Sequence, residues 1–170
     1  MTKHCVVVSE MAQARFFTLE WEPSLTAEDN PFLREIKTME NPQHQAGDSS
    51  YWTDTRRGVQ REYQGGQRAG QPSGTSSHNY DEHRENNEQQ NTQKFAREII
   101  HNLNDMIEAK HIDHVVLCGE KQMIGFLRKT LDELPRDKIS LDEVPKDLTK
   151  FTPRELHQKL AAEGFLPKRH

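Results

Sequence analysis

From Pro42 to Gln93 the chain contains no Leu, Ile, Phe or Met, yet this run holds six of the nine glycines in the sequence. Such a run has too little apolar surface to offset the entropy lost on ordering it, which predicts a polar, flexible loop. The sequence on either side is strongly patterned and core-forming, so the loop over 42–93 is an insertion in a single domain spanning 1–170. An excursion this long inside a compact domain is generally either functional or a linker. What the loop carries therefore decides how the protein is read.

Removing the loop leaves enough chain for one small core. The hydrophobic fraction of 32% is low, but the deficit is concentrated in the loop, and the net charge is -4. That balance argues against a surface that coats nucleic acid generally, while leaving room for a local basic patch. One exists: Arg56, Arg57, Arg61 and Arg68 face Glu62 alone between positions 56 and 70. Cys5 and Cys118 each sit in an apolar run with no metal-type spacing, which fits a reducing compartment. With no signal-peptide pattern and no apolar stretch of transmembrane length, the expectation is a cytoplasmic protein.

Read in order, Cys5-Val6-Val7-Val8 predicts a central strand, Ala14 to Trp21 a second, and Leu33 to Met39 a third with imperfect alternation. Short connections favour an antiparallel meander of the three. After the loop the period becomes helical, with Phe95, Ile99, Ile100, Leu103, Met106 and Ile107 on one face. Thr92 is a candidate cap, and the polar stretch from Glu82 to Gln90 is helix-tolerant enough to extend the start. Val115 to Cys118 predicts a buried strand, and Met123 to Leu131 a helix ended by Pro135. Ile139 and Leu141 predict a short last strand. Thr152-Pro153-Arg154-Glu155 forms a capping box with Pro at the first helical position, opening a helix that stops at Gly164. A meander followed by alternating helices and strands predicts an α/β fold: a mixed sheet of about five strands with packed helices, ribonuclease-H-like in topology.

Four short pieces then converge. Phe95-Ala96-Arg97-Glu98, Val116-Leu117-Cys118-Gly119, Gly125-Phe126-Leu127-Arg128 and Lys146-Asp147-Leu148-Thr149, in that order, resemble the bacterial family of proteins required for attachment to host cells. That family is in turn similar to the middle domain of eukaryotic and archaeal class I translation release factors. There, a Gly-Gly-Gln motif on a loop precedes a long helix that also begins Phe-Ala-Arg. Here Gly65-Gly66-Gln67 precedes Phe95-Ala96-Arg97, with Arg68 to Lys94 intervening, and no codon-reading domain is recognisable.

The resemblance implies hydrolysis of the peptidyl-tRNA ester on stalled ribosomes or separated large subunits. Gly65 and Gly66 would admit the backbone to a narrow cavity, and Gln67 would position water and the developing oxyanion. Arg56, Arg57, Arg61 and Arg68 would neutralise phosphates of ribosomal RNA and tRNA. The expected partners are therefore ribosomal RNA and peptidyl-tRNA, with neither DNA nor membrane and with no cofactor or metal; the sequence does not fix an oligomeric state. Two other readings stand beside this one. A run rich in Gly and Gln supplies such a tripeptide by chance, leaving a flexible tether on a non-catalytic binding or stress-adaptor protein. A nuclease is the third, but it lacks paired carboxylates at strand positions.

The remaining candidates have simpler explanations. His78, Asp81 and His83 lie in a polar segment without an ordering framework or a fourth ligand. His111 suits a helix C-terminus, and His101 and His114 flank the same helix-to-strand junction. Gly119-Glu120-Lys121 lacks the glycine spacing of a phosphate loop. Tyr51, Trp52 and Tyr63 suit either base stacking or docking of the loop. Both cysteines read as core.

Overall fold

The computed structural model describes residues 1–23, 30–44 and 76–169, with side chains described from 81 onward in the last segment. Strand β1 (His4–Ser9) holds Val6, Val7 and Val8, β-branched residues that suit a pleated strand covered on both sides, and all three are fully buried. A tight turn, closed by the Glu10 N–H on the Gln13 carbonyl at 2.8 Å, leads into β2 (Gln13–Glu22). Strand β3 (Asn30–Glu40) completes the antiparallel meander that the short connections predict. Helix α1 (Ser76–Lys110) then leads to β4 (His114–Gly119), helix α2 (Lys121–Arg128), a 3-10 turn at Leu131–Glu133, β5 (Ser140–Val144) and helix α3 (Pro153–Ala162). The sheet order is β3-β2-β1-β4-β5, with β4 parallel to both β1 and β5. Only β2 runs against the others, which is the ribonuclease-H-like order expected from the sequence.

Because successive side chains on a strand point to opposite faces, the sheet serves two cores. Cys5, Val7, Phe16, Val115 and Leu117 pack beneath Phe95, Ile99, Ile100 and Leu103 of α1 and Met123, Ile124 and Leu127 of α2. Val6, Val8, Phe17, Val116 and Cys118 pack on the other face with Leu156 and Leu160 of α3. The capping box forms as the sequence predicts: Thr152 Oγ1 accepts from the Glu155 N–H at 3.3 Å, and Glu155 Oε2 accepts from the Thr152 N–H at 2.9 Å.

Three local readings need correction. The alternation of β3 is broken by a bulge: Phe16 pairs with Lys37 and Phe17 with Glu35, which leaves Ile36 unpaired. Ile36 packs on the α1 core, and Lys37 also turns that way to donate to Asn102 of α1. Helix α1 begins at Ser76, so Thr92 is not its cap; the Thr92 hydroxyl donates to the Glu88 carbonyl one turn back at 2.9 Å. Helix α2 ends at Arg128 rather than running to Pro135, because the Thr130 amide and hydroxyl both bind the Leu127 carbonyl at 3.0 Å. Leu131 reaches the core from the separate 3-10 turn.

Two glycines separate close packing from helix propensity. A Cβ at Gly119 would lie 2.8 Å from the Ser9 carbonyl oxygen on the neighbouring strand, whereas one at Gly125 in α2 meets nothing within 4 Å. We expect Gly119→Ala to destabilise the fold by about 1–3 kcal/mol through this overlap. Gly125→Ala should stabilise it by up to about 1 kcal/mol. Urea unfolding of both variants checks the opposite signs.

Candidate functional site

Gly65, Gly66, Gln67, Arg56, Arg57, Arg61 and Arg68 lie outside the described residues, as do Tyr51, Trp52 and Tyr63. The structure defines the two roots of the segment that carries them. At the exit, buried Asn41 ties the end of β3 to the β1–β2 turn: its N–H donates to the Ala12 carbonyl at 2.8 Å and its Nδ2 to the Met11 carbonyl at 2.9 Å. At the return, α1 starts at Ser76, nine positions after Gln67. Residues 81–90 of this helix are all exposed, a stretch about 15 Å long at 1.5 Å per residue. Asp81, Glu82, Glu85 and Glu88 set against Arg84 make it acidic. From Thr92 onward the helix meets the body of the protein, and Gln93 Nε2 donates to the Phe126 carbonyl at 3.4 Å.

A second polar arrangement lies at the opposite rim, where β1, β4 and β5 begin. Parallel pairing sets His4 beside His114, with their Nδ1 atoms 2.7 Å apart. His114 Nε2 lies 2.7 Å from Asp142 Oδ2 on β5. The carboxylate accepts, so His114 carries its proton on Nε2 and its Nδ1 is an acceptor. His4 must then donate from Nδ1, and its Nε2 is left with a free lone pair. Burial pulls the His4 pKa below its ordinary value, and His114 lowers it further, while Asp113 acts the other way.

His4 also lines a cavity of about 400 Å³ between the start of β1, the far end of β2 and the end of α1. Leu19, Trp21 and Ile112 give it apolar walls, and Lys3 and Lys110 stand in its lining. Thr18, another lining residue, has a buried hydroxyl with no hydrogen-bond partner. His111 closes α1 with φ at 54°, and the next amide, Ile112 N–H, reaches back to the Ile107 carbonyl at 3.1 Å. This is a Schellman-type end with histidine at the left-handed position that glycine normally takes.

The four sequence pieces that carry the family resemblance are spread across both cores, and residues 5–160 match the family model described as "Protein required for attachment to host cells". The chain belongs to that family. Comparison with curated proteins finds none that matches.

In this member of the host-attachment family, much of each piece is explained by structure. Phe95 and Ala96 are buried on the sheet-facing side of α1, and Gly119 permits the close approach of Ser9. Leu148 is core, while the Asp147 carboxylate accepts from the Thr149 amide at 3.1 Å and hydroxyl at 2.6 Å. The turn so formed presents the carbonyls of Thr149 and Phe151 to Arg15 Nη1, both at 2.9 Å. Arg15 also grips Glu35 with two bonds, at 3.2 and 2.6 Å, which holds the Glu35 carboxyl below its usual range. Cys5 and Cys118 are core thiols, each pushed up to about 12 by burial, and so are poor nucleophiles. Asp81 and His83 are exposed. No helix among the described residues is long and apolar enough to cross a membrane.

Sequence reasoning missed the Asp142–His114–His4 chain. The signal was present: His4 and His114 each immediately precede a run of four apolar residues, and parallel neighbours in that register put the rings together. The linkage sign follows from the lowered His4 pKa. The unfolded chain binds this proton more readily, so the contribution to stability is complete above the ordinary histidine value of about 6.5 and declines as pH falls through the folded-state value. His4→Gln is expected to flatten the stability profile in that acid window relative to wild type, as read by urea midpoints.

Proposed function

We propose that this host-attachment family member is a ribosome-associated factor of the release-factor-like class, which frees stalled peptides from tRNA through Gly65-Gly66-Gln67. The observation that carries this reading is the length of α1. The helix starts nine residues after Gln67 rather than near Phe95, so the tripeptide lies close in sequence to a 35-residue helix. This is the order of loop and helix in the release-factor middle domain that the family resembles. The ribonuclease-H-like sheet and the position of the segment between β3 and α1 supply a folded base for it.

The reaction requires water oxygen to attack the ester carbonyl carbon. The bond from that carbon to the terminal ribose oxygen breaks, and the proton from water passes to the ribose oxygen. Two glycines let the backbone reach the ester in a confined cavity, and Gln67 orients the water and supports the oxyanion. Arg56, Arg57, Arg61 and Arg68 contact RNA phosphates, whereas the acidic stretch at 81–90 stays clear of them. Ribosome state or a partner supplies specificity. A second reading, a non-catalytic adaptor, draws on that same acidic, exposed stretch as a surface for a basic partner.

Peptide release from purified stalled ribosome–peptidyl-tRNA complexes separates the two. Gln67→Ala and Gly66→Ala are each expected to lower the release rate by about 100-fold or more while ribosome binding persists. Release absent from the wild type, with a cellular phenotype that survives replacement of Gly65 to Gln67 by Ser, supports the adaptor. Replacing the four arginines by Gln should reduce the slope of log affinity against log salt by about 0.7–0.9 for each phosphate left unneutralised, as read by ribosome co-sedimentation.

A further inference from the structure

We propose that the cavity at the starting rim of β1 is a binding site for a small monocarboxylate with an apolar body, held by His4 and Lys110. At about 400 Å³ it falls within the size range of small-molecule pockets, and its walls are of the expected kind. Leu19, Trp21 and Ile112 offer a hydrocarbon or aromatic body a place to leave water. The charged lining is mainly cationic: Lys3 and Lys110, with Glu20 as its one carboxylate. Glu20 is itself bound by Arg34 at 3.1 Å, so it repels an incoming anion less.

The cationic lining favours an acidic ligand, and the hydrogen-bond chain behind His4 sets how a carboxylate is met. His4 Nδ1 is already engaged with His114, so Nε2 alone remains for a ligand. A carboxylate offers only acceptors, and therefore binds the imidazolium form, to which Nε2–H donates. In both forms of His4, Nδ1–H donates to His114 Nδ1, and His114 Nε2–H to the Asp142 carboxylate. The groups that act on the charge at His4 are His114 and Asp113, with Asp142 bonded to His114 behind it; Lys3, Lys110, His111 and Glu20 share the cavity lining. Burial and His114 together favour the neutral form of His4 at neutral pH. Carboxylate binding thus takes up a proton and tightens as pH falls.

Titration calorimetry of the full chain with hexanoate and with benzoate tests this, with hexanol and benzyl alcohol as neutral counterparts. Saturable one-to-one binding of the acids is expected, weakening by about tenfold per pH unit across the range where His4 must be protonated by binding. Buffers of different ionisation enthalpy should report uptake of about one proton at neutral pH. His4→Gln should abolish the pH dependence and Lys110→Met should weaken binding about tenfold, with thermal unfolding showing that each variant folds. Equal binding of acids and alcohols by the wild type, absence of saturation with the acids, or an unchanged pH profile in folded His4→Gln overturns the proposal.

Discussion

Val6, Val7 and Val8 are excluded from water because β1 is hydrogen-bonded along both edges and covered on both faces. The meander reaches β1 through β2, and the helix-linked half of the chain reaches it through β4. Within the sheet the two halves are therefore joined along a single strand. Their junction is tight enough that Gly119 approaches the Ser9 backbone more closely than a Cβ would allow. Any account of function has to be built outward from this strand, whose two ends carry the two polar regions of the molecule.

At its far end the sheet is tied by charge rather than by apolar contact. Arg15 spans β2, β3 and the turn before α3, using its planar fork on Glu35 and two carbonyls at once. Lysine has one point charge and could not hold this geometry. At the starting end a chain of three side chains from three strands plays a corresponding part, but its outermost member retains a free nitrogen. The first arrangement is closed and structural. The second is open to a cavity, and that difference makes it the more informative chemically.

Much of this architecture was legible because burial on both faces produces continuous apolar runs and a clear change from strand to helix period. The sheet class, the capping box at Thr152 and the core role of both cysteines follow from such local signals. What escaped depended on pairing. The β3 bulge at Ile36 is invisible until β2 is laid beside it, and the residues around it then explain the broken alternation. The extension of α1 back to Glu82 was legible as helix-tolerant sequence, but its start at Ser76 was not, because polar residues support a helix without an apolar stripe. His114 looked like a residue at a junction, and only the parallel register brings it to His4 and Asp142. The tripeptide was legible as a motif, and it lies outside the described residues.

The exposed part of α1 couples reach to bearing. Each residue added between 81 and 90 would advance whatever the helix carries by about 1.5 Å and also swing it by about 100° around the axis. Lengthening this stretch by one residue is consequently a change of direction more than of distance. A change of about seven residues, close to two full turns, nearly restores the original heading. The sheet and both cores would be indifferent to such a change, because residues 81–90 are exposed; only the heading of the first turns of the helix responds.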